Sequence, residues 1–77
     1  MPNIKIYSTP SCPYCIRAKQ FLEDNNIKFV DYDVSIDQEK ANEMTERSGQ
    51  MGVPVIDIDG EIVVGFDKEA ISKALKL

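Results

Sequence analysis

The chain has 77 residues and two cysteines, and these stand only three positions apart, at Cys12 and Cys15. A bond between them closes too short a loop to staple the rest of the chain. A chain of this length buries a smaller fraction of its surface than a larger one. Cohesion must therefore come from packed apolar side chains, for which a 43% hydrophobic composition supplies the material. The length fits one domain, residues 1–77, built from packed layers of secondary structure.

The periodicity predicts where those layers come from. Residues 3–7 alternate polar and apolar and read as a strand. Residues 8–13 are turn-rich, and Pro13 suits the first turn of a helix, with Ser11 or Cys12 at the cap. Ile16, Ala18, Phe21 and Leu22 give that helix its apolar stripe, and Asp24, Asn25 and Asn26 stop it. Residues 27–34 read as a second strand with Phe29 and Val30 at its centre. Ser35 or Asp37 caps a second helix running to about Ser48. Its apolar face is thin (Ile36, Lys40, Ala41, Met44, Ser48), and Gly49 ends it. Residues 53–58 form a β-branched strand that contains Pro54. Asp59-Gly60 is a strong hairpin signal, and residues 61–64 complete the hairpin. Asp67 caps a terminal helix over 68–77, with Ala70, Ile71, Ala74 and Leu75 as its stripe. The order β-α-β-α-β-β-α predicts an α/β fold: a four-stranded mixed sheet flanked by three helices, with the first βαβ unit parallel.

Composition removes several kinds of chemistry. The chain has no histidine, so Ser-His-Asp and Cys-His nucleophiles and two-Cys, two-His zinc sites are excluded within it. Nine basic residues against 13 acidic ones give a net charge of -4, which offers no drive toward nucleic acid. No apolar run approaches membrane-spanning length. The start Met1-Pro2-Asn3 shows no signal-peptide pattern, so a cytoplasmic location is expected. In the cytosol a close cysteine pair leans toward catalysis or metal binding.

Cys12-Pro13-Tyr14-Cys15 follows a predicted strand and opens a predicted helix, the context of a redox motif. At the helix start, Cys12 meets unpaired backbone N–H groups and the positive end of the helix dipole, which favour a thiolate. Arg17 and Lys19 add positive potential. Cys15 lies a turn deeper and is the natural resolving thiol. The expected chemistry is thiol–disulfide exchange. Two alternatives stay open: a half metal site, needing two further ligands from carboxylates or a second subunit, and a pair of inert core cysteines. Pro54 either begins a strand or forms a cis bond that turns the Val53 backbone toward a substrate. Tyr14 is either a surface aromatic or a wall of the thiol groove. The helix start at Asp67 can hold a carboxylate.

On these residues the chain resembles the glutaredoxins over almost its whole length. The likeness rests on Tyr7-Ser8-Thr9-Pro10-Ser11-Cys12-Pro13-Tyr14-Cys15, Ala18-Lys19, Val53-Pro54 and Gly65-Phe66-Asp67. The resemblance implies the short thioredoxin-like fold, Cys12 as nucleophile, Cys15 as resolver and Pro54 as a cis proline. It implies reduction of protein disulfides and glutathione mixed disulfides, with glutathione as co-substrate, no permanently bound cofactor, and a monomer. Tyr14 would flank glutathione, the Val53 backbone would pair with its cysteinyl part, and Gly65, Phe66 and Asp67 would take its γ-glutamyl end. Four positions depart from the family pattern. Gly52 stands for threonine before Val53-Pro54, and Val64 for the first of a glycine pair. Thr9 stands where a lysine is common. Ala41 stands where a glutamine or arginine is common, with Lys40 beside it as a substitute. A second reading follows from these departures: a thioredoxin-like donor recharged by thioredoxin reductase and serving, for example, ribonucleotide reductase. A third is a homodimer bridging a metal or an iron–sulfur cluster through Cys12, against which Pro13 argues in the family.

Overall fold

A computed structural model describes residues 3–77. The chain runs β1 (Ile4–Ser8), α1 (Pro13–Asp24), β2 (Val30–Asp33), α2 (Gln38–Ser48), β3 (Val55–Ile58), β4 (Glu61–Val64) and α3 (Lys68–Leu75). The four strands form one mixed sheet in the order β2-β1-β3-β4. β1 and β2 are parallel, while β3 is antiparallel to both β1 and β4. The thioredoxin-like β-α-β-α-β-β-α arrangement expected from the sequence is the one observed.

Strand alternation gives the sheet two distinct faces. On one, Ile4, Ile6, Ile56, Ile58 and Val63 meet Ala18 and Leu22 of α1 and Ile71 of α3. On the other, Tyr7 and Val55 meet Met44 of α2. Met44 is the sole buried residue of α2, and polar contacts do the rest of the anchoring. The buried Tyr7 hydroxyl donates to Glu43 at 2.9 Å. Arg47 pairs at 2.6 Å with Asp57, a β3 carboxylate only 3% exposed. Asp57 also accepts from the Gly60 N–H at 2.8 Å. Asp59 and Gly60 both have positive φ, 52° and 96°, as a two-residue hairpin of the primed type requires.

The caps follow the sequence reading, with Asp37 and Asp67 accepting from the third N–H of α2 and α3. Gly49 closes α2 at φ 75°, a left-handed conformation that glycine adopts without cost. Five expectations are corrected. Ile16 is 59% exposed; the inward face of α1 is Cys15, Ala18 and Leu22, three and four residues apart, and Ile16 lies about 100° from Cys15 around the helix. The second strand is shorter than residues 27–34, and Val30 starts it, half-exposed, instead of filling its centre. Ile27 donates its N–H to Leu22 at the end of α1, and parallel pairing to β1 begins only at Lys5↔Val30. Ile36 is exposed because it precedes the Asp37 cap and so lies off the face of α2. Pro54 stands just outside β3, where its missing N–H breaks no ladder bond. The last helix ends at Leu75, with Lys76 as its left-handed cap.

Two outcomes check this packing. Leu22→Ala should cost about 2–5 kcal/mol in urea unfolding, whereas Ile16→Ala should stay within about 0.5 kcal/mol. Glu43 is held below its ordinary carboxylate value, first by the Lys40 hydrogen bond and then by that of Tyr7. Its stabilisation is therefore present above the unfolded value and lost as pH falls through the lower folded value. Glu43→Gln should flatten the acid side of the stability–pH curve in that window.

Candidate active site

The start of α1 is shaped by its own sequence. Pro13 occupies the first helical position, where its missing N–H is one the helix leaves unpaired anyway. Cys12 is the N-cap, in extended conformation at φ -92° and ψ 110°. Its sulfur takes the place of a capping oxygen and accepts the Cys15 N–H at 3.1 Å. That bond strengthens as the sulfur gains negative charge. The Cys12 N–H is turned back to the Thr9 carbonyl at 3.3 Å. Both cysteines are free; Cys12 is partly exposed and Cys15 fully buried. Burial above all, and then the hydrogen bond with Cys12, pushes the Cys15 thiol up to about 11; the Thr9 N–H and the Lys19 charge oppose that rise.

The Val53–Pro54 segment faces Cys12, and the loop before α3 is bonded to that segment in turn. The Val53–Pro54 peptide bond is cis, and the Val53 carbonyl oxygen lies 3.9 Å from the Cys12 sulfur. The Pro54 carbonyl accepts the Gly65 N–H at 2.8 Å, tying the loop before α3 to the proline. Gly65 has φ 79°, which a side chain would disfavour. Tyr14 is exposed and carries the Arg17 guanidinium over its ring at 5.5 Å. Met51, also exposed, lies two residues before Val53. Asp67 spends its carboxylate on the Ala70 N–H at 3.1 Å.

Two candidates are placed differently. The Phe66 ring packs edge-on against Phe21 of α1, centroids 6.1 Å apart, so its side chain packs against the core. The Lys40 ammonium is held by Glu43 at 3.0 Å and sits 4.4 Å from the centre of the Tyr32 ring. Sequence reasoning gave no part to Ser8 and Asp31. The Ser8 hydroxyl donates to Asp31 at 2.6 Å, and Asp31 pairs with Lys19 at 2.6 Å. The only sequence signal was the four-residue spacing from Cys15 to Lys19. Among the described residues, no group of three or more His, Cys, Asp or Glu is placed to hold a metal ion. No described helix is long and apolar enough to cross a membrane.

A capping thiol with a buried partner beneath it, facing a cis proline across a βαβ junction, defines a thioredoxin-like thiol–disulfide oxidoreductase. Known proteins narrow that class. The glutaredoxin family model matches residues 4–63. A glutaredoxin-like 8.6 kDa protein encoded in the rubredoxin operon of Clostridium pasteurianum is 52% identical, over 95% of this chain and 97% of that one. Glutaredoxin 3 of Escherichia coli K12 is 39% identical over 87% of this chain and 81% of its own length. A crystallised thioredoxin-like protein superposes with a TM-score of 0.91 at 34% identity, covering 99% of this chain and 97% of its own. The chain belongs to the glutaredoxin family, and it is an enzyme of the thiol–disulfide oxidoreductase class whose active-site dithiol is the Cys12–Cys15 pair.

The difference in exposure sets an expected outcome. Iodoacetamide at neutral pH should alkylate Cys12 first, with Cys15 lagging by more than about tenfold because its thiol is buried and protonated. Peptide mapping by mass spectrometry after timed quenching reads the two sites separately. Equal labelling of both would contradict the geometry.

Proposed function

We propose that residues 1–77 act as a single glutaredoxin-like domain that reduces protein disulfides and glutathione mixed disulfides, with glutathione as electron donor. The observation that carries this reading is the pairing of a partly exposed Cys12 at a helix start with a buried, hydrogen-bonded Cys15 beneath it. The Cys12 thiolate attacks one sulfur of the substrate disulfide, a new S–S bond forms, and the other sulfur leaves as a thiolate and takes up a proton. Cys15, once deprotonated, attacks Cys12 and expels the second substrate sulfur. Two electrons have then passed to the substrate, and Cys12–Cys15 is a disulfide. Two glutathione thiols restore the dithiol and become one glutathione disulfide. With a glutathione mixed disulfide, Cys12 alone removes the protein thiol and a second glutathione frees Cys12.

The site favours an extended substrate backbone beside Val53, whose carbonyl faces Cys12. Tyr14 and Pro13 would flank the bound sulfur, and Pro54, Gly65, the Phe66 backbone and the α3 start at Asp67 would line the far side. Membership of the family supports glutathione and oxidised or glutathionylated proteins as partners. A second reading, recharging by thioredoxin reductase with delivery to a protein such as ribonucleotide reductase, draws on a specific feature. Lys40 is committed to Glu43 and Tyr32, and Thr9 carries no charge, so a carboxylate of glutathione meets less positive charge than the family pattern supplies.

Cys12→Ser should abolish every exchange reaction. Cys15→Ser should stop reduction of protein disulfides while sparing removal of glutathione from a glutathionylated peptide. Equal losses in both assays would end this division of roles. One disulfide substrate, assayed with glutathione plus its reductase and separately with thioredoxin reductase, decides between the two reductants. Turnover with thioredoxin reductase alone would overturn the glutathione-linked reading.

A further inference from the structure

Cys15 must become a thiolate in each cycle, yet it is fully buried and its thiol is pushed up to about 11. The chain has no histidine to help it. The groups that face Cys15 are few. From its own helix and the cap of that helix come Lys19 and Cys12, and from the residue just after β1 comes the Thr9 backbone. β2 contributes Asp31 behind Lys19. Lys19 follows Cys15 by four residues, so the two lie on one face of α1 about 5–6 Å apart at their β carbons. Its ammonium is fixed against the sheet: Asp31 holds it at 2.6 Å, and the buried Ser8 hydroxyl holds Asp31 at 2.6 Å. Ser8, the last residue of β1, directly precedes Thr9, so one short stretch of chain carries both aids to Cys15.

We infer that Lys19 is a positioning residue for the resolving step, its ammonium held by Asp31 and Ser8 so as to stabilise the negative charge that Cys15 must carry to attack Cys12. In that step the Cys15 proton leaves to solvent. The Cys15 sulfur bonds to Cys12, the bond from Cys12 to the substrate sulfur breaks, and its electron pair departs with the substrate thiolate. Lys19 keeps its proton throughout. This inference rests on the reading of Cys15 as the resolving thiol.

The test uses the whole chain and Ellman's reagent in rapid mixing. Attack by Cys12 releases a first thionitrobenzoate, and attack by Cys15 on the mixed disulfide releases the second. Lys19→Met should slow the second release about tenfold at neutral pH and move its rise about one pH unit toward alkali. Lys19→Arg, which keeps the charge, should restore the rate to within about twofold; a residue needed only for packing would not show this pattern. The first release should slow less than one-fifth as much. An unchanged second release, an equal slowing of both, or an Arg variant as slow as the Met variant would overturn the inference. If Lys19→Met does not fold, Lys19→Gln gives the same readout. Direct ultraviolet titration of the Cys15 thiolate in Cys12→Ser, with and without the Lys19 change, supplies an independent measure. A second release that persists in Cys15→Ser would instead refute the resolver reading, leaving the two failures distinguishable.

Discussion

The hydrogen bond from the Cys15 N–H to the Cys12 sulfur is the contact on which the site depends. It makes the Cys12 thiol part of a helix cap, so the same interaction that begins α1 orients that sulfur. A capping serine or aspartate would satisfy the helix equally well but would carry no exchangeable sulfur. The cost falls on Cys15, whose side chain is locked inside by the turn that presents Cys12. A partly exposed outer thiol and a buried inner one are two results of one local geometry.

Around that cap the sheet sorts its polar groups by face. On the α1 side, Ser8, Asp31 and Lys19 form a chain of short contacts behind Cys15. On the α2 side, Tyr7, Glu43, Arg47 and Asp57 join a helix with one buried apolar residue to the strands. Adjacent residues of β1 serve these opposite ends: Tyr7 points to one network and Ser8 to the other. Burial lifts the Tyr7 hydroxyl above its ordinary value, ahead of its bond to Glu43, and Tyr7 stays a neutral donor at the base of α2.

Most of the fold was legible because its signals are local. Pro13 at a helix start, Asp59-Gly60 between β-branched runs, and Asp37 and Asp67 as caps each act within a few residues. Cys12 and Cys15 were legible for the same reason. What escaped the sequence is what depends on partners far along the chain. The start of β2 is set by how much of β1 is left to pair with it. The thin apolar face of α2 gave no hint that Tyr7 and Asp57, 36 and 10 positions from Glu43 and Arg47, hold it from the sheet. Phe66 stood in the Gly65-Phe66-Asp67 motif read as part of a binding site, yet its ring packs on Phe21 against the core. Lys40 was free on paper and is engaged by Tyr32 in space.

The tight turn at Asp59 and Gly60 has a consequence at the opposite end of the molecule. It fixes which residue of β4 stands beside which residue of β3, ending with Val64 opposite Val55. The next residue is Gly65, and that count alone delivers its N–H to the Pro54 carbonyl. The hairpin thus works as a ruler, setting from its far end which amide reaches the cis proline beside Val53. One residue added to the turn or to β4 would turn every following side chain to the other face and bring the wrong amide to the proline. Length in this hairpin is therefore as much a property of the active site as the cysteines are.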